Sequence, residues 1–290
     1  MDFSHAVRES AVLQVSGADR VDFLQGQLTQ DVRGMAPGEV RPAAALTSKG
    51  RILYVARLLA LEDRFLLLLP SSSRGPVQEH LKKYAAFQKV TLQDLSEELL
   101  RIGLYGSLAG WPERAPWRLL PGEGEFAGEL LLPSAEREEA LKALEATGSR
   151  TLDREAAERL RVEAGRPRFG QDFDGSHLPD EVGLVAAIST TKGCYVGQEI
   201  VARMRTYGRV NRRVVGFRFP DGIVPAGSVL KPPEGEPGKV EWGRVTSAVH
   251  SDRFGPIGLG FAFRDVPEGG RLVTIESPQR GAVVTALPFR

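Results

Sequence analysis

Residues 190–199 read Thr190-Thr191-Lys192-Gly193-Cys194-Tyr195-Val196-Gly197-Gln198-Glu199. Two glycines flank Cys194, the single cysteine of the chain. If Gly197-Gln198-Glu199 opens a helix running to about Met204, Cys194 lies just before its N-terminus. There the helix dipole and the neighbouring ammonium of Lys192 both favour a thiolate. The other reading is a small buried thiol beside two turn glycines, since free cysteines are among the most buried residues. The clustered Lys, Tyr, Gln and Glu exceed what core packing needs, so Cys194 and Lys192 stand as candidate reactive residues.

Working upstream, Asp153 is placed to cap a helix to Ala164, stopped by Gly165 and by Pro167 two residues later. Downstream of Asn211 the pattern changes. Val214 to Phe219, Gly227 to Leu230, Val240 to Ser247, Ile257 to Phe263, Leu272 to Glu276 and Ala282 to Leu287 are short β-like runs between Gly and Pro turns. Such a series predicts a small closed β-domain at the C-terminus. Gly258-Leu259-Gly260 lies inside one of these runs without a following helix, so it reads as barrel packing rather than a dinucleotide loop.

In the N-terminal half, Ala11 to Val15 reads as a strand, followed by a helix capped by Ser16 with Val21, Leu24 and Leu28 on one face and Phe23 widening it. Arg51 to Leu61 and Arg64 to Leu69 form a hairpin around Glu62-Asp63. A helix starts near Pro76 and presents Val77, Leu81 and Tyr84 until about Phe87. Strands are expected at Val90 to Leu95, Leu100 to Tyr105 and Phe126 to Leu132, then a capped helix over Ser134 to Thr147. Irregular alternation of this kind belongs to the α+β class.

The chain has 290 residues, 42% of them hydrophobic, enough for two or three domains. A formal charge of +1 lacks the basic excess of a general nucleic-acid binder, while leaving room for a local basic patch. No apolar run approaches the length that crosses a bilayer, and one cysteine makes no internal disulfide. A soluble, cytoplasmic protein with no membrane partner is the expectation. The histidines His5, His80, His177 and His250 show no paired ligand spacing, so no metal is expected and each reads as a surface or satisfied polar residue.

Lys192 through Glu199 resembles, at every position, the K-G-C-Y-x-G-Q-E signature of the YgfZ family, relatives of the glycine-cleavage aminomethyltransferase that support iron–sulfur enzymes and tRNA modification. Arg161-Val162-Glu163-Ala164-Gly165-Arg166-Pro167-Arg168-Phe169-Gly170 and Leu178-Pro179-Asp180-Glu181 resemble it too. So do Phe23-Leu24-Gln25-Gly26-Gln27-Leu28-Thr29-Gln30-Asp31-Val32 and Thr47-Ser48-Lys49-Gly50-Arg51. The resemblance implies an aminomethyltransferase-like fold, with two α/β domains and a C-terminal antiparallel β-barrel around a central folate pocket. The boundaries would be 1–45 with 148–205 for a discontinuous domain carrying the Lys-Gly-Cys-Tyr motif, 46–147 for a ferredoxin-like domain and 206–290 for the barrel.

It also implies tetrahydrofolate, or a one-carbon derivative, as cofactor. Glu163 occupies the place of the carboxylate that grips the pteridine, and a carboxylate can accept from both the ring N–H and the exocyclic amine. Tyr195, Gln198 and Arg203 complete the cofactor-binding set; without the resemblance Glu163 reads as a solvent-facing residue near a helix end. The transferases carry their catalytic aspartate after G-G-I-x-D-D, whereas this chain reads Gly50-Arg51-Ile52-Leu53-Tyr54-Val55, so aminomethyl transfer is in doubt. Arg203, Arg205, Arg209, Arg212 and Arg213 form either a solvated connection or an anion-binding rim for a folate tail or RNA phosphate. The resulting expectation is a folate-binding accessory protein with iron–sulfur client enzymes or assembly proteins as partners, direct RNA binding left open. A folate-dependent one-carbon transferase and a non-catalytic interaction scaffold are the alternatives.

Overall fold

Every position from Phe65 to Leu69 is buried, a pattern foreign to a strand with one face in water. The explanation lies in what covers each face. A computed structural model describes residues 3–108, 117–208, 210–233, 241–277 and 279–290. The chain divides into one unit of Met1–Leu152 with Leu184–Arg203 and another of Asp153–Gly183 with Met204–Arg290.

The first unit opens with β1 (Phe3–Val7), β2 (Ser10–Ser16), α1 (Arg20–Gln27), β3 (Val40–Leu46), β4 (Ile52–Ala60) and β5 (Arg64–Pro70). It continues through α2 (Arg74–Ala85), β6 (Thr91–Asp94), β7 (Leu99–Gly106), β8 (Arg118–Pro121), β9 (Gly128–Pro133), α3 (Arg137–Ala146) and β10 (Arg150–Thr151). Two five-stranded sheets result, in the orders β3-β4-β5-β2-β6 and β10-β1-β7-β9-β8. Side chains alternate across a strand, so Phe65, Leu67 and Leu69 join the core under α1 and α2 with Phe23, Leu24, Val77 and Leu81. Leu66 and Leu68 join Leu120 and Leu131 of the other sheet. The far face of that sheet packs Ile102, Leu104 and Leu130 against Ala140 and Leu144 of α3.

Several local expectations are corrected. Ser16 ends β2 instead of capping α1, whose N-cap is Asp19 with no side-chain cap bond. The helix α2 starts at Arg74, ahead of Pro76, and stops at Ala85; Tyr84 is 38% exposed and Phe87 lies beyond the helix. The helix expected from Ser134 begins at Arg137, after a single 3-10 turn over Ser134–Glu136. The strand β8 carries no alternation that would have marked it.

Between the two sheets of this unit lies a buried charge cluster. Glu129, with its side chain 0% exposed, receives Arg8 Nη1 at 2.8 Å, Arg57 Nη1 at 2.6 Å and Arg101 Nη2 at 2.8 Å. Arg101 also donates to the Leu69 carbonyl at 3.2 Å. Burial alone would raise the Glu129 carboxyl, yet Arg101, Arg8 and Arg57 outweigh it and hold it at about 2.

In the second unit, α4 (Arg154–Glu163) starts where the sequence places it, with the Asp153 carboxylate accepting from Ala156 N at 2.8 Å. Gly165 follows with φ +68, and a Cβ there would stand 2.8 Å from Leu287. The helix α5 (Gln198–Tyr207) straddles the division between the units and runs three residues past Met204. Then β11 (Arg212–Arg218), β12 (Val229–Lys231), β13 (Gly243–Ser251), β14 (Gly255–Phe263), β15 (Arg271–Thr274) and β16 (Gly281–Thr285) close into a barrel ordered β11-β14-β13-β12-β15-β16. Every pairing in it is antiparallel. The expected run from Val240 begins outside the described residues, as does Arg209. Gly258 and Gly260 make room for Phe219 and Phe217, whose rings stand 2.8 and 2.9 Å from where a Cβ would be.

Arg161 anchors α4 to this barrel. It reaches Asp172 at 2.7 Å, Glu158 at 2.6 Å and Ser247 Oγ at 2.7 Å. Asp172 in turn accepts from Thr246, Ser247 and the Arg168 amide. Burial opposes ionisation of Glu158, but Arg161, Gln171 and Arg168 hold it at about 2.

Two carboxyls held at about 2 rather than 4.5 bind protons less readily folded than unfolded. Their contribution is therefore present above the unfolded value and is lost as pH falls from about 4.5 towards 2. Urea titrations from pH 7 to 2.5 should show stability falling by a few kcal/mol below about pH 5. Glu129→Gln should flatten that fall, and an unchanged slope in the variant would refute the assignment.

Candidate functional site

Polar groups of residues 25–30, around the end of α1, bond to the chain instead of to water. Gln25 Oε1 accepts from Val32 N at 2.9 Å while its Nε2 donates to Asp31 Oδ1 at 3.0 Å. Thr29 Oγ1 donates to the Ala187 carbonyl at 2.6 Å and accepts from Ala44 N at 3.0 Å. Gln30 Nε2 donates to the Ala186 and Pro42 carbonyls. The Thr29 carbonyl accepts from Ser189 N at 3.0 Å, and that of Gly26 from Val196 N at 3.3 Å. Residues 186–196 are thus sewn along residues 25–32.

Lys192 closes the seam. Its Nζ donates to the carbonyls of Gln25 at 2.7 Å, Leu28 at 2.6 Å and Gln30 at 2.9 Å. The last carbonyls of a helix have no partner within it, and a buried ammonium has three donors to give. Burial pulls Lys192 down to about 8, with Asp31 opposing and Arg33 adding to the fall. At neutral pH the group is charged and serves all three acceptors. Its ammonium also stands 5.0 Å from the Tyr195 ring centroid.

Cys194, between these two buried residues, is exposed. A Cβ at Gly193 would meet nothing within 4 Å, so the residue before the cysteine also faces open space. Gly197 is different: its φ is +84 and a Cβ would stand 2.5 Å from the Thr47 carbonyl. Gly50 has φ +71 and abuts Ile200 of α5. The Thr47–Arg51 turn therefore seats the start of α5 through two positions that only glycine fills without strain. Gln198 is bound locally, its Oε1 accepting from Tyr195 N at 3.3 Å. Arg203 is exposed, 3.8 Å from Glu199 one helical turn earlier.

Glu163 belongs to the other unit. Its Oε1 accepts from Ser251 Oγ at 2.6 Å, and its Oε2 has no hydrogen-bond partner among the described residues. The partly buried carboxylate so retains acceptor capacity. Of the arginine run, Arg205 pairs with Asp180 at 3.4 Å and Arg212 with Glu181 at 3.1 Å. Arg213 donates to the carbonyls of Phe263, Arg264 and Val266. A cavity of about 490 Å³ in this unit is lined by Asp172, Asp174, His177, Arg212, Arg244 and Phe261 among others. Back in the first unit, Tyr54 is 1% exposed with its hydroxyl 3.3 Å from His80 Nδ1, a core position. Among the described residues no helix is long and apolar enough to cross a membrane.

No family model matches the chain. It is 31% identical over 220 residues to the tRNA-modifying protein YgfZ of Colwellia psychrerythraea, covering 70% of this chain and 68% of the relative. The YgfZ of Escherichia coli strain K12 is 33% identical over 223 residues, 71% of this chain and 68% of that one. The chain belongs to the YgfZ family. A putative chloroplastic transferase of Arabidopsis thaliana, At1g60990, extends the likeness along 100% of the chain at 26% identity. The chain also superposes on the glycine cleavage system aminomethyltransferase T of Bartonella henselae with TM-score 0.87, over 99% of this chain and 86% of the other. At 23% identity that likeness establishes the fold: mixed α/β sheets with a closed antiparallel barrel.

Lys192 and Cys194 stand out in the sequence, whereas the work of Gln25, Thr29 and Gln30 emerges only in the folded chain. Gln25 carried a signal, a polar residue beside Leu24 on a helix that is out of place unless something buried needs it; Thr29 and Gln30 lie past the helix end and carried none. Arg161 was likewise passed over in favour of Glu163, two positions along the same helix.

Proposed function

We propose that this YgfZ-family protein supports tRNA modification by presenting the Cys194 thiol to iron–sulfur client enzymes or their assembly proteins, with a reduced folate bound in the same protein. The observation that carries this reading is an exposed thiol on a segment whose neighbours on both sides, Lys192 and Tyr195, are buried and tied down. Such rigidity is what a positioned reactive group requires. The names of the curated relatives, tRNA-modifying proteins, give the process. A reducing cytosol, which keeps a lone thiol free, is the compartment that suits it.

Folate enters through the fold shared with aminomethyltransferase T and through Glu163, whose Oε2 is available to a pterin N–H donor. Tyr54, enclosed in the core, supplies no carboxylate, which weighs against aminomethyl transfer. Tetrahydrofolate, when bound, would supply a one-carbon carrier; the protein's part is to orient it through Glu163.

Complementation of cells lacking their own family member tests the thiol. Cys194→Ser should fold and bind folate normally yet fail to restore iron–sulfur enzyme activity, whereas full rescue would return the cysteine to a passive surface role. Calorimetry tests the carboxylate: Glu163→Gln should weaken binding of reduced folate by about 1.5–3 kcal/mol. Undiminished affinity in the folded variant would remove Glu163 from the site.

A further inference from the structure

The end of α2 breaks the rule that large apolar side chains find cover. Phe87, just past the helix, is 99% exposed, and Tyr84 on its last turn is 38% exposed. Around them Lys82, Lys83, Ala86, Gln88 and Lys89 are all exposed. The chain has 30 arginines and only eight lysines, yet three of those lysines fall within this one stretch. From His80 to Gln93 there is no acidic residue. No ion pair involves Lys82, Lys83 or Lys89 among the described residues. The acids nearest along the chain are Glu79 and Asp94, the latter held by Arg74 at 2.6 Å, while the Asp19 carboxylate accepts from the Lys89 amide rather than its ammonium.

A helix C-terminus favours cations, which accounts for Lys82 and Lys83 as dipole partners. It does not account for Lys89 or for a phenylalanine in full contact with water. Both faces of the Phe87 ring are accessible, and its neighbours are lysines, an alanine and a glutamine instead of aliphatic side chains. A protein-docking patch has the opposite composition, an apolar centre depleted of lysine. A membrane-surface helix would need a continuous apolar stripe, whereas the apolar face of α2, Val77 and Leu81, is consumed by the core. The Tyr84 ring packs against His80 and carries the Lys83 ammonium 5.5 Å from its centroid, while the Phe87 ring beside it is bare. An open ring among lysines is instead the arrangement that takes unstacked bases on aromatic faces and phosphates on ammonium groups.

We infer that the α2 terminus, through Phe87, Tyr84, Lys82, Lys83 and Lys89, is a docking surface for single-stranded RNA. The surface is distinct from the Cys194 segment and does not depend on the folate reading. A modest local patch is compatible with the nearly neutral whole chain, because only the phosphates of a few nucleotides need matching.

The test uses the full chain and a fluorescently labelled 12-nucleotide single-stranded RNA, with a blunt duplex of the same length and acidic phospholipid vesicles as separate arms. Anisotropy titrations should show tighter binding to the single strand than to the duplex. Phe87→Ala should weaken it by about tenfold, and Phe87→Tyr should restore it. Replacing Lys82, Lys83 and Lys89 together by glutamine should reduce the slope of log K against log salt by about 2. Phe87 makes no core contact, so its thermal unfolding midpoint should match the parent and loss of binding is not loss of fold. Equal affinity for duplex, undiminished binding by Phe87→Ala, absence of RNA binding, or loss of vesicle binding in place of RNA binding would each overturn the proposal.

Discussion

Replacing Lys192 with methionine should destabilise the protein by about 3 kcal/mol or more, because it strips a charged donor from two buried carbonyls and a part-buried one at once. Methionine approximates the volume of the aliphatic stem, so packing is largely kept and the polar loss is isolated. The carbonyls of Gln25, Leu28 and Gln30 would be left without the donor that ends α1, and residues 186–196 would lose the seam that holds them. Urea denaturation at neutral pH measures the effect directly. A change below about 0.5 kcal/mol, the range of an ordinary surface substitution, would mean that the amine is dispensable to the fold and that its role lies elsewhere. Cys194→Ser, by contrast, should leave stability unaltered, since the thiol is exposed. The two neighbouring residues are thereby expected to separate cleanly, one through stability and the other through function.

Glu129→Ala should cost about 3–5 kcal/mol, the usual consequence of removing one partner from a buried ion cluster. Arg101 is the reason. Its side chain is 3% exposed, its Nε already lacks a hydrogen-bond partner, and burial has pushed it down to about 10 even with Glu129 beside it. Arg8 and Arg57 have other outlets: the first is 30% exposed and the second lies 3.3 Å from Glu123. Removing the two fully buried charges together, in Glu129→Leu with Arg101→Met, should therefore recover most of the loss. Denaturant midpoints of the single and double variants decide it. A double variant as unstable as Glu129→Ala would place the contribution in Arg8 and Arg57 instead.

Local signals were legible where one interaction dominates. Asp153 capped α4 as read because an N-cap needs only its own helix, and the barrel runs were visible because alternation and glycine turns are local properties. Ser16 misled because capping chemistry marks a serine's capacity, whereas strand pairing of β2 with β5 through Ser16 and Arg64 decided its use. Tyr84 misled for a related reason: helical spacing places it beside Leu81, but the core ends before the helix does.

By itself, the amino-acid order determined the family, the fold class and the segment that bears Cys194, since each rests on a contiguous motif or a periodicity. Tertiary structure alone decided that Lys192 points into the core and Cys194 out of it. It also decided that Gln25, Thr29 and Gln30 form the bed beneath them, and that Glu129 neutralises arginines brought from 121, 72 and 28 positions away. The physical reason is that a buried ammonium or carboxylate is tolerated only where several distant acceptors or donors converge, and convergence across a chain leaves no spacing for sequence to display.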